Sequence, residues 1–535
     1  MSTPTPAAVC TNLTFAWPDG HQVLNGLSAT FPAGRTGLIG VNGSGKSTLL
    51  RLIAGHLQPA AGSITVHGRL GHVPQNISWQ PGRTVAHALG VEPALRALRA
   101  IESGDVREEH FETVGTDWDI EERSGAVLDG LGLATVQLDR GLEELSGGEA
   151  TLVCLAAHLL QPPDVLLLDE PTNNLDSGAR ERLYEAIRGW RGSLIVVSHD
   201  RDLLELVDQV ADLRQGDIYL YGGGWSAYET AVAAEQEAAE QTVRTAKQDL
   251  RRQRRELIEA RTKLDRRKRY GDKMEANKRE PKIVMGERKR QAQVSSGKHR
   301  QLHQERLAAA EERLSRSEDA LIDHKEIRID LPATHVPSGR RVLTLRQVRT
   351  RCQDGIDLEV VGPERIALVG ANGSGKSTLL QTITGELPAR AGQIEVTVPV
   401  RYLPQRLAVL DPGLSVAQNV ARSAPQATDN QIRAQLARFL FRGAGADQLV
   451  EQLSGGERFR AALAAVLLAK PPPQLLLLDE PTNNLDLASM RELTQALAAY
   501  RGALIIASHD HRFLREVGVT RWLETGAFVR EVDPR

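Results

Sequence analysis

Aromatic residues and cysteines are scarce in this chain, and it contains no long apolar run. Phe, Trp and Tyr make up 4% of the 535 residues, and the 3 cysteines are Cys10, Cys154 and Cys352. Cysteines that far apart form neither a CxxC zinc or redox spacing nor a disulfide framework, so we expect buried structural thiols. Apolar runs such as residues 461–469 fall far short of the roughly 18 to 20 residues of a bilayer span, which excludes a membrane-spanning protein.

Charge of one sign is concentrated in a single segment. Between Arg244 and Arg306 there are 22 Lys and Arg against 9 Asp and Glu, although the whole chain has a net charge of -2. Such asymmetry indicates an acidic partner for this segment, usually nucleic acid or a membrane surface. The first ten residues carry neither a basic patch nor a long apolar stretch, so we expect no secretory signal and a cytoplasmic location.

An internal repeat organises the chain. GVNGSGKSTLL at 40–50 returns as GANGSGKSTLL at 370–380, LSGGE at 145–149 returns at 453–457, and LLLDEPTNNLD at 166–176 returns at 476–486. The offset falls from 330 at the first motif to 308 at the second, so the first copy has about 22 additional residues between Gln75 and Ser146. We place them in an acidic helical insertion at about 92–123, which holds 10 acidic and 4 basic residues.

The repeat predicts two nucleotide-binding domains, residues 1–226 and 328–535, joined by residues 227–327. This joining segment is rich in Ala, Glu, Gln, Lys and Arg, which favours helix. We expect a break region after the first helical run and a second run from Lys298 to Leu321, and therefore an antiparallel helical hairpin. The break region contains Gly271, Pro281, Gly286 and Gly297. Leu250, Leu257 and Leu264, at seven-residue spacing, supply part of a seam between the helices.

The pattern GxxxxGK[ST] is a phosphate loop, because its glycines let backbone amides curl around phosphates and its lysine neutralises the outer ones. Lys46 and Lys376 take that role, and Ser47 and Ser377 place hydroxyls where Mg2+ binds. One match would also suit a flexible Gly-rich turn, but two in register with other motifs nearly exclude that reading. The predicted nucleotide-binding residues of the two loops are Gly40, Asn42, Gly43, Ser44, Gly45, Lys46, Ser47, Thr48, Gly370, Asn372, Gly373, Ser374, Gly375, Lys376, Ser377 and Thr378.

Two aliphatic runs, 165–168 and 475–478, are typical of buried parallel strands, and each ends in Asp-Glu. We expect Asp169 and Asp479 to hold Mg2+, and Glu170 and Glu480 to orient the attacking water as general base. Such a pair alone is more often a solvated cap. Its position after a phosphate loop favours catalysis.

LSGGE at the start of a helix supplies further amides and a positive helix end, although Ser-Gly-Gly-Glu is also an ordinary helix cap. With these motifs the chain resembles the ATP-binding-cassette superfamily, in which the signature loop of one domain closes on the phosphate loop of the other. The resemblance implies an α/β fold with two P-loop cassettes in tandem, ATP and Mg2+ as cofactors, and a monomer whose cassettes pair internally. Site one would pair Lys46 with Ser454, Gly455, Gly456 and Glu457, and site two would pair Lys376 with Ser146, Gly147, Gly148 and Glu149.

The same resemblance implies roles for further residues. Gln75 and Gln405 match the loop that senses Mg2+ and water, His199 and His509 match the switch histidine on the terminal phosphate, and Asp176 and Asp486 match the loop that communicates between cassettes. Trp17 fits the place of the aromatic ring that stacks on adenine. The second copy has no Phe, Tyr or Trp between Val348 and Gly362, so we expect weaker adenine binding at site two.

Tandem cassettes joined by a basic helical hairpin resemble the ABC-F family, whose members act on the ribosome. The resemblance implies that the hairpin reaches toward the tRNA and the peptidyl-transferase centre, that closure on ATP favours the bound state, and that the acidic insertion contacts a ribosomal stalk protein. The RNA-contact candidates are Arg266, Arg267, Lys268, Arg269, Lys273, Lys278, Arg279, Lys282, Arg288, Lys289 and Arg290. With Tyr270 as the one aromatic residue near this cluster, we expect recognition of rRNA and tRNA by shape and charge.

Several roles stay open at this point. Within the ribosomal class, the chain is either a housekeeping translation factor or an antibiotic-resistance protein that dislodges drugs. From a different class, the alternative is the ATP-hydrolysing subunit of an exporter that docks on separate membrane subunits. A DNA-repair ATPase fits less well, because zinc-binding cysteines and very long coiled coils are missing. The plainest interpretation of the basic segment is a solvated coiled coil without a ligand.

Overall fold

The computed structural model describes residues 5–77, 82–276, 301–302, 305–318, 331–405, 407, 409–483 and 485–533. The chain divides into two compact units. One unit, Met1–Trp225 with Lys325–Arg535, holds both sequence repeats, and the other is Ser226–His324. Among the described residues, no helix combines the length and the apolar character that a bilayer crossing needs.

A six-stranded sheet lies at the centre of each repeat, which we call the first and the second domain. The strands of the first domain are β3 (Arg35–Gly40), β5 (Leu70–Val73), β6 (Val165–Asp169), β7 (Ser193–Val197), β8 (Gln209–Arg214) and β9 (Asp217–Gly222). Those of the second are β12 (Arg365–Val369), β14 (Val400–Leu403), β15 (Leu475–Asp479), β16 (Ala503–Ala507), β17 (Arg521–Thr525) and β18 (Val529–Val532). Their orders are β5-β6-β7-β3-β8-β9 and β14-β15-β16-β12-β17-β18. The last pair in each sheet is antiparallel, and the others are parallel.

A smaller antiparallel sheet accompanies each central sheet. Its strands are β1 (Ala8–Ala16), β2 (Gln22–Phe31) and β4 (Ala61–Val66) in the first domain, and β10 (Arg341–Arg349), β11 (Ile356–Val361) and β13 (Ala391–Val396) in the second. Helix α1 (Lys46–Ile53) packs between the two sheets of the first domain, because its Leu49 shares a core with Leu24 of β2 and Leu167 of β6. The helix that carries the phosphate-binding lysine is thus held from both sides.

Each domain contains further helices. In the first domain they are α2 (Val85–Ala88), α3 (Glu92–Glu102), α4 (Glu108–Val114), α5 (Ile120–Gly130), α6 (Gly147–Leu160), α7 (Ser177–Arg188) and α8 (Arg201–Leu204). In the second they are α11 (Lys376–Thr384), α12 (Val416–Ser423), α13 (Asp429–Arg438), α14 (Gly455–Leu467), α15 (Leu487–Ala499) and α16 (His511–Glu516). Helices α3 to α5 occupy the range where we expect the acidic insertion.

The unit Ser226–His324 contains most of one very long helix. Helix α9 (Trp225–Ala276) has 52 residues, about 78 Å at 1.5 Å per residue. A second helical segment, α10, covers residues 305–318. Ion pairs join Lys247 to Glu318 at 2.9 Å and Arg254 to Glu311 at 3.2 Å, so the two helical segments run antiparallel.

One detail of the sequence-based hairpin is wrong. We placed Gly271 in the break between the arms, but α9 continues through it to Ala276. A single glycine costs a helix only about 1 kcal/mol, which the helix-forming residues around it outweigh. Leu250 and Leu257 of the expected seam are buried. Nothing is described of the Leu264 side chain, and Pro281, Gly286 and Gly297 lie outside the described residues.

The expectation of three buried thiols is also corrected. Cys10 is buried and Cys154 is partly buried, but Cys352 is exposed. Burial raises the pKa of Cys10 to about 11 and that of Cys154 to about 12. Cys352 differs because it lies in the short connection between β10 and β11, at the edge of the smaller sheet.

Candidate functional site

Each phosphate loop joins the central strand β3 or β12 to the helix behind it. The Lys46 ammonium donates hydrogen bonds to the Gly40 and Val41 carbonyls at 2.7 and 3.1 Å. Lys376 does the same to Gly370 and Ala371 at 2.8 and 3.3 Å. Both lysines are buried, which lowers their pKa, while nearby carboxylates oppose the shift. Each loop therefore holds one cation inside a ring of its own backbone.

Two glycines explain why the motif needs that residue where the loop enters the helix. Gly45 and Gly375 have φ of 99° and 93°, in the left-handed region. A Cβ on Gly45 would lie 2.7 Å from Val23 Cγ1, and one on Gly375 would lie 2.4 Å from Gln353 Nε2. Both conformation and space thus require glycine.

At the end of β6, an Asp-Glu pair faces the phosphate loop. The Ser47 hydroxyl donates to Asp169 Oδ1 at 2.9 Å, while Asp169 Oδ2 is buried without a hydrogen-bond partner in the described part of the chain. Glu170 has φ of 50°, a conformation that non-glycine residues rarely adopt and that strains the backbone. Its Oε1 lies 3.2 Å from His199 Nε2.

The second site repeats this arrangement at the end of β15. Glu480 has φ of 45°, and its Oε1 lies 3.3 Å from His509 Nε2. The Lys376 ammonium donates to the same His509 nitrogen at 3.0 Å, and Asn372 Oδ1 lies 3.2 Å from it. The structure thus brings lysine, glutamate and histidine of the sequence prediction together in both domains.

Burial controls the protonation of these groups. Burial raises the pKa of Glu170, against the opposing charge of Lys46, and it raises the pKa of Glu480 to about 7. Burial, followed by the charge of the neighbouring lysine, lowers the pKa of His199 and takes that of His509 to about 3. The histidines are therefore neutral at physiological pH, and the glutamate pKa lies near the range that suits a general base.

One site residue was missed by the sequence analysis. The Tyr402 hydroxyl donates to Asp479 Oδ2 at 2.9 Å, and the ring is buried. Tyr402 lies three residues before Gln405, where the first domain has His72 before Gln75. The matching positions in the repeat could have drawn attention to it, but no motif includes them.

The two domains meet through their communication loops. Asn42 N–H donates to Asp486 Oδ2 at 2.7 Å, and Asn372 N–H donates to Asp176 Oδ2 at 3.3 Å. The Asn372 side-chain amide also donates a hydrogen bond to the Asn174 carbonyl at 2.8 Å. Each phosphate loop therefore contacts the opposite domain directly.

A cavity at site one contains residues of both domains. Trp17, Lys46, Gln75, Glu170 and His199 of the first domain line it together with Gly455 of the second. Trp17 meets Phe15 edge-on at 5.1 Å, which fixes the position of its ring. This is the placement that the sequence analysis expects for an adenine-stacking ring and an opposing signature loop.

The signature loops are also helix caps. Ser146 Oγ accepts from Glu149 N at 3.3 Å while Glu149 Oε2 accepts from Ser146 N at 2.8 Å. Ser454 and Glu457 form the same capping box. The ordinary structural role of these four residues is therefore present, at the positive ends of α6 and α14.

A buried polar residue lies beside the phosphate loop at site two. Gln353 is 2% exposed, accepts a hydrogen bond from Thr350 at 2.6 Å and donates one to the Ser374 carbonyl at 2.7 Å. It fills the space beside the phosphate loop that Val23 fills in the first domain. Gln405 and Gln75, its partner in the repeat, are both exposed.

Comparison with known proteins agrees with this geometry. The family model described as ABC transporter matches residues 24–173 and 353–483. The chain is 34% identical over 539 residues to the tylosin resistance ATP-binding protein TlrC of Streptomyces fradiae, covering 92% of this chain and 93% of that one. It is 31% identical over 513 residues to the probable ATP-binding protein YheS of Escherichia coli K12, covering 92% and 75%.

A solved structure shows the same fold. The archaeal ribosome recycling factor aABCE1, in complex with the stalk protein aP1, covers 97% of this chain and 89% of its own, with a TM-score of 0.56 at 19% identity. That identity establishes likeness of fold alone. From the family match over both repeats and the near full-length relatives, the chain belongs to the ABC-F family of the ATP-binding-cassette superfamily and is an ATP hydrolase with two tandem cassettes.

Proposed function

We propose that this ATPase binds the ribosome when its cassettes close on ATP, and that the basic end of the α9 segment contacts ribosomal RNA or tRNA. The distribution of charge along the helices carries this proposal. In the part of α9 that precedes residue 261, basic residues are paired with acidic ones, as in Lys247 with Glu318, Arg254 with Glu311 and Arg313 with Asp249 at 3.5 Å. Residues 261–300, in contrast, hold 15 Lys and Arg against 5 Asp and Glu.

Exposure supports a ligand for this charge. Arg266, Arg269 and Lys273 are exposed on α9. Nothing is described of the Arg267 and Lys268 side chains, and the candidates Lys278, Arg279, Lys282, Arg288, Lys289 and Arg290 lie outside the described residues. Phosphate contacts made by such side chains release counterions, so binding should weaken steeply as salt rises.

We assign the hydrolytic roles as follows. Lys46 and Lys376 neutralise the outer phosphates, Glu170 and Glu480 take a proton from the attacking water, and the neutral His199 and His509 contact the terminal phosphate. The backbone strain at both glutamates holds each carboxylate at its strand end. Closure through Asp176 and Asp486 completes each site with the opposite signature loop.

The carboxylates fit Mg2+, which would neutralise phosphate charge when bound. Ser47, Asp169 and Gln75 would hold it at site one, and Ser377, Asp479 and Gln405 at site two. Asp169 Oδ2 and Asp479 Oδ1 are buried oxygens without a hydrogen-bond partner among the described residues, as ligands of a hard cation need. We expect EDTA to abolish hydrolysis, and Mg2+ to restore it.

The acidic insertion is proposed to contact a ribosomal stalk protein. Phe111 and Trp118 are 39% and 48% exposed, with ring centroids 6.0 Å apart, on a surface whose helices are acidic. Leu95 and Leu98 of α3 are buried, so deleting the insertion would damage the fold. Phe111→Ser with Trp118→Ser is therefore the cleaner variant: it should weaken ribosome binding while ATP hydrolysis persists.

Between the two ribosomal roles, we propose protection against an antibiotic. Similarity to a protein named for tylosin resistance, over almost the whole of both chains, supports it. Translation in vitro should then be rescued from tylosin by the purified protein and ATP. Equal stimulation of translation with and without the drug would point to a housekeeping factor.

The deciding test is sedimentation of the chain with 70S ribosomes through a sucrose cushion. The double variant Glu170→Gln with Glu480→Gln should trap ATP. It should cosediment with ribosomes in the presence of ATP but not in the presence of ADP. Adding Arg266→Gln, Arg269→Gln and Lys273→Gln should weaken ribosome binding and make it less dependent on salt. The slope of log K against log salt concentration should become less steep by about 0.7 to 0.9 for each lost phosphate contact.

A control variant changes charge equally but elsewhere. Arg346→Gln, Arg390→Gln and Arg438→Gln replace three exposed arginines of the second domain. It should sediment like its parent. If the trapped protein stays in the supernatant while still binding ATP, the ribosomal proposal fails and docking on an exporter becomes the alternative.

A further inference from the structure

The two cassettes differ at several positions beside the catalytic residues, and one of these lies on the helix that follows the communication loop. Arg180 of α7 and Met490 of α15 both follow the communication-loop aspartate by four residues, and each donates its backbone N–H to that aspartate's carbonyl at 2.9 Å. They are equivalent in the repeat. One is a cation and the other is neutral.

Both side chains line one cavity of about 280 Å3 between the cassettes. Glu170 and His199 line it from the first domain, and His509 lines it from the second. The cavity therefore joins the surroundings of the two catalytic centres, and its arginines are Arg180 and Arg201 of the first domain and Arg512 of the second.

Arg180 has no ion pair closer than 3.8 Å among the described residues, although its charge also acts on Asp202 and Asp510. Its Nη1 lies 3.8 Å from Asp200 Oδ2, and its Nε is buried without a partner among the described residues. Asp200 already accepts hydrogen bonds from the Tyr184 hydroxyl at 2.6 Å and from Asp202 N–H at 3.0 Å. The arginine side chain is 17% exposed, so water screens it incompletely.

That charge acts on the second domain. Asp176, one turn before Arg180, accepts a hydrogen bond from Asn372 N–H of the second phosphate loop, and Arg180 lowers the pKa of His509 after burial and the charge of Lys376. Met490 holds the equivalent place after Asp486, which accepts from Asn42 N–H of the first phosphate loop. The arginine thus favours negative charge near site two, and nothing equivalent is contributed by Met490 near site one.

We propose that Arg180 is a positioning residue for site two, where its charge, delivered from the opposite cassette, stabilises the charge that develops during attack on the terminal phosphate. Site one, which faces Met490, lacks this contribution. The two sites therefore hydrolyse ATP at different rates although their motifs match. This inference rests on the assignment of Glu480 and His509 to hydrolysis at site two.

The test measures each site separately. In a Glu170→Gln background, where site two remains, Arg180→Met should lower kcat about tenfold with little change in KM, since a charge acting at the transition state affects turnover. In a Glu480→Gln background, where site one remains, Arg180→Met should change neither. Arg180→Lys should restore part of the loss, and Met490→Arg should raise turnover at site one.

A matched control and a second readout guard against general damage. Arg188→Met removes an exposed arginine from the same helix, paired with Glu181 at 3.0 Å, and should leave both backgrounds unchanged. If either glutamine substitution stops all turnover, trapping of photoreactive ADP by orthovanadate reports each site by peptide mapping. Arg180→Met should then reduce trapping in the second domain and spare the first.

The outcomes distinguish failure of the inference about Arg180 from failure of the catalytic assignment of Glu480. Equal losses in both backgrounds, or in both domains on trapping, would show a structural role for Arg180 and overturn the inference. Full trapping in both domains of Arg180→Met would overturn it as well. If Glu480→Gln leaves hydrolysis and trapping at site two intact, the underlying catalytic assignment itself fails.

Discussion

Removing the Asp486 carboxylate should impair closure of the cassettes far more than removing Asp176. Asp486 Oδ2 accepts from Asn42 N–H of the opposite domain at 2.7 Å, a short bond to a charged group. Such bonds contribute about 1.5 to 3 kcal/mol. A loss of about 2 kcal/mol from the closed state lowers the closing equilibrium constant roughly 30-fold. Because closure needs ATP at both sites, the ATP concentration required rises about fivefold.

Asp176→Ala is the matched comparison. The hydrogen bond from Asn372 N–H to Asp176 is longer, at 3.3 Å. The Asn372 side-chain amide keeps its separate hydrogen bond to the Asn174 carbonyl at 2.8 Å. We expect the required ATP concentration to rise less than about twofold. Both aspartates also cap the following helix, at 2.9 Å to Ala179 N–H and 2.8 Å to Ser489 N–H. Loss of the cap weakens open and closed states alike, at about 1 kcal/mol in each variant, and so cancels.

The assay titrates ATP against energy transfer between dyes on exposed positions of the two domains. Glu170→Gln and Glu480→Gln prevent turnover, and the exposed Cys352 is replaced so that it takes no label. Equal shifts for the two alanine variants, or a larger shift for Asp176→Ala, would refute the reasoning from bond length.

Three further changes test the surroundings of the sites. Tyr402→Phe leaves Asp479 Oδ2 buried and unpaired, so urea denaturation should show a loss of about 1 to 3 kcal/mol; an equally stable variant would contradict this. Burial lowers the pKa of His72 to about 4, and the charges of His56, Arg51 and His158 act in the same direction. The folded state therefore binds fewer protons than the unfolded one, and stability falls as pH drops from about 6.5 toward 4. At pH 5.5 the loss is about 1 kcal/mol after allowance for partial exposure, and His72→Gln should remove it from thermal denaturation compared at pH 7.5 and 5.5. Trp17→Ala should raise the KM for ATP about five- to tenfold at site one, measured in the Glu480→Gln background, and leave site two unchanged.

The sequence predicted the parts of the site that are local in the chain. A phosphate loop needs glycine where φ is positive, and a buried parallel strand needs consecutive aliphatic residues, so both are visible as short motifs. The carboxylates of Asp169 and Asp479 follow from the same strands. The family membership and the ATPase activity that these motifs implied are confirmed by the match to the family model.

Contacts between distant segments were not accessible in the same way. Tyr402 reaches Asp479 across two neighbouring strands, and Gln353 reaches Ser374 across a loop. Neither pair has a fixed spacing that a motif could record. The error at Gly271 has the opposite cause: a local rule about helix breakers was applied where a long run of helix-forming residues outweighs it.

The two repeats differ mainly in residues that surround the motif residues, not in the motifs themselves. The first site has Trp17 in its cavity, whereas the second has Gln353 beside its phosphate loop. In the inference above, the second site also receives the charge of Arg180 and the first faces the neutral Met490. Weaker nucleotide binding and faster hydrolysis would both shorten the time that ATP stays at site two. Since closure needs both sites filled, site two would then release the cassettes first, while site one keeps its nucleotide through the next cycle. A single polypeptide with two matching sets of catalytic motifs would in this way have one site that governs timing and one that retains ATP.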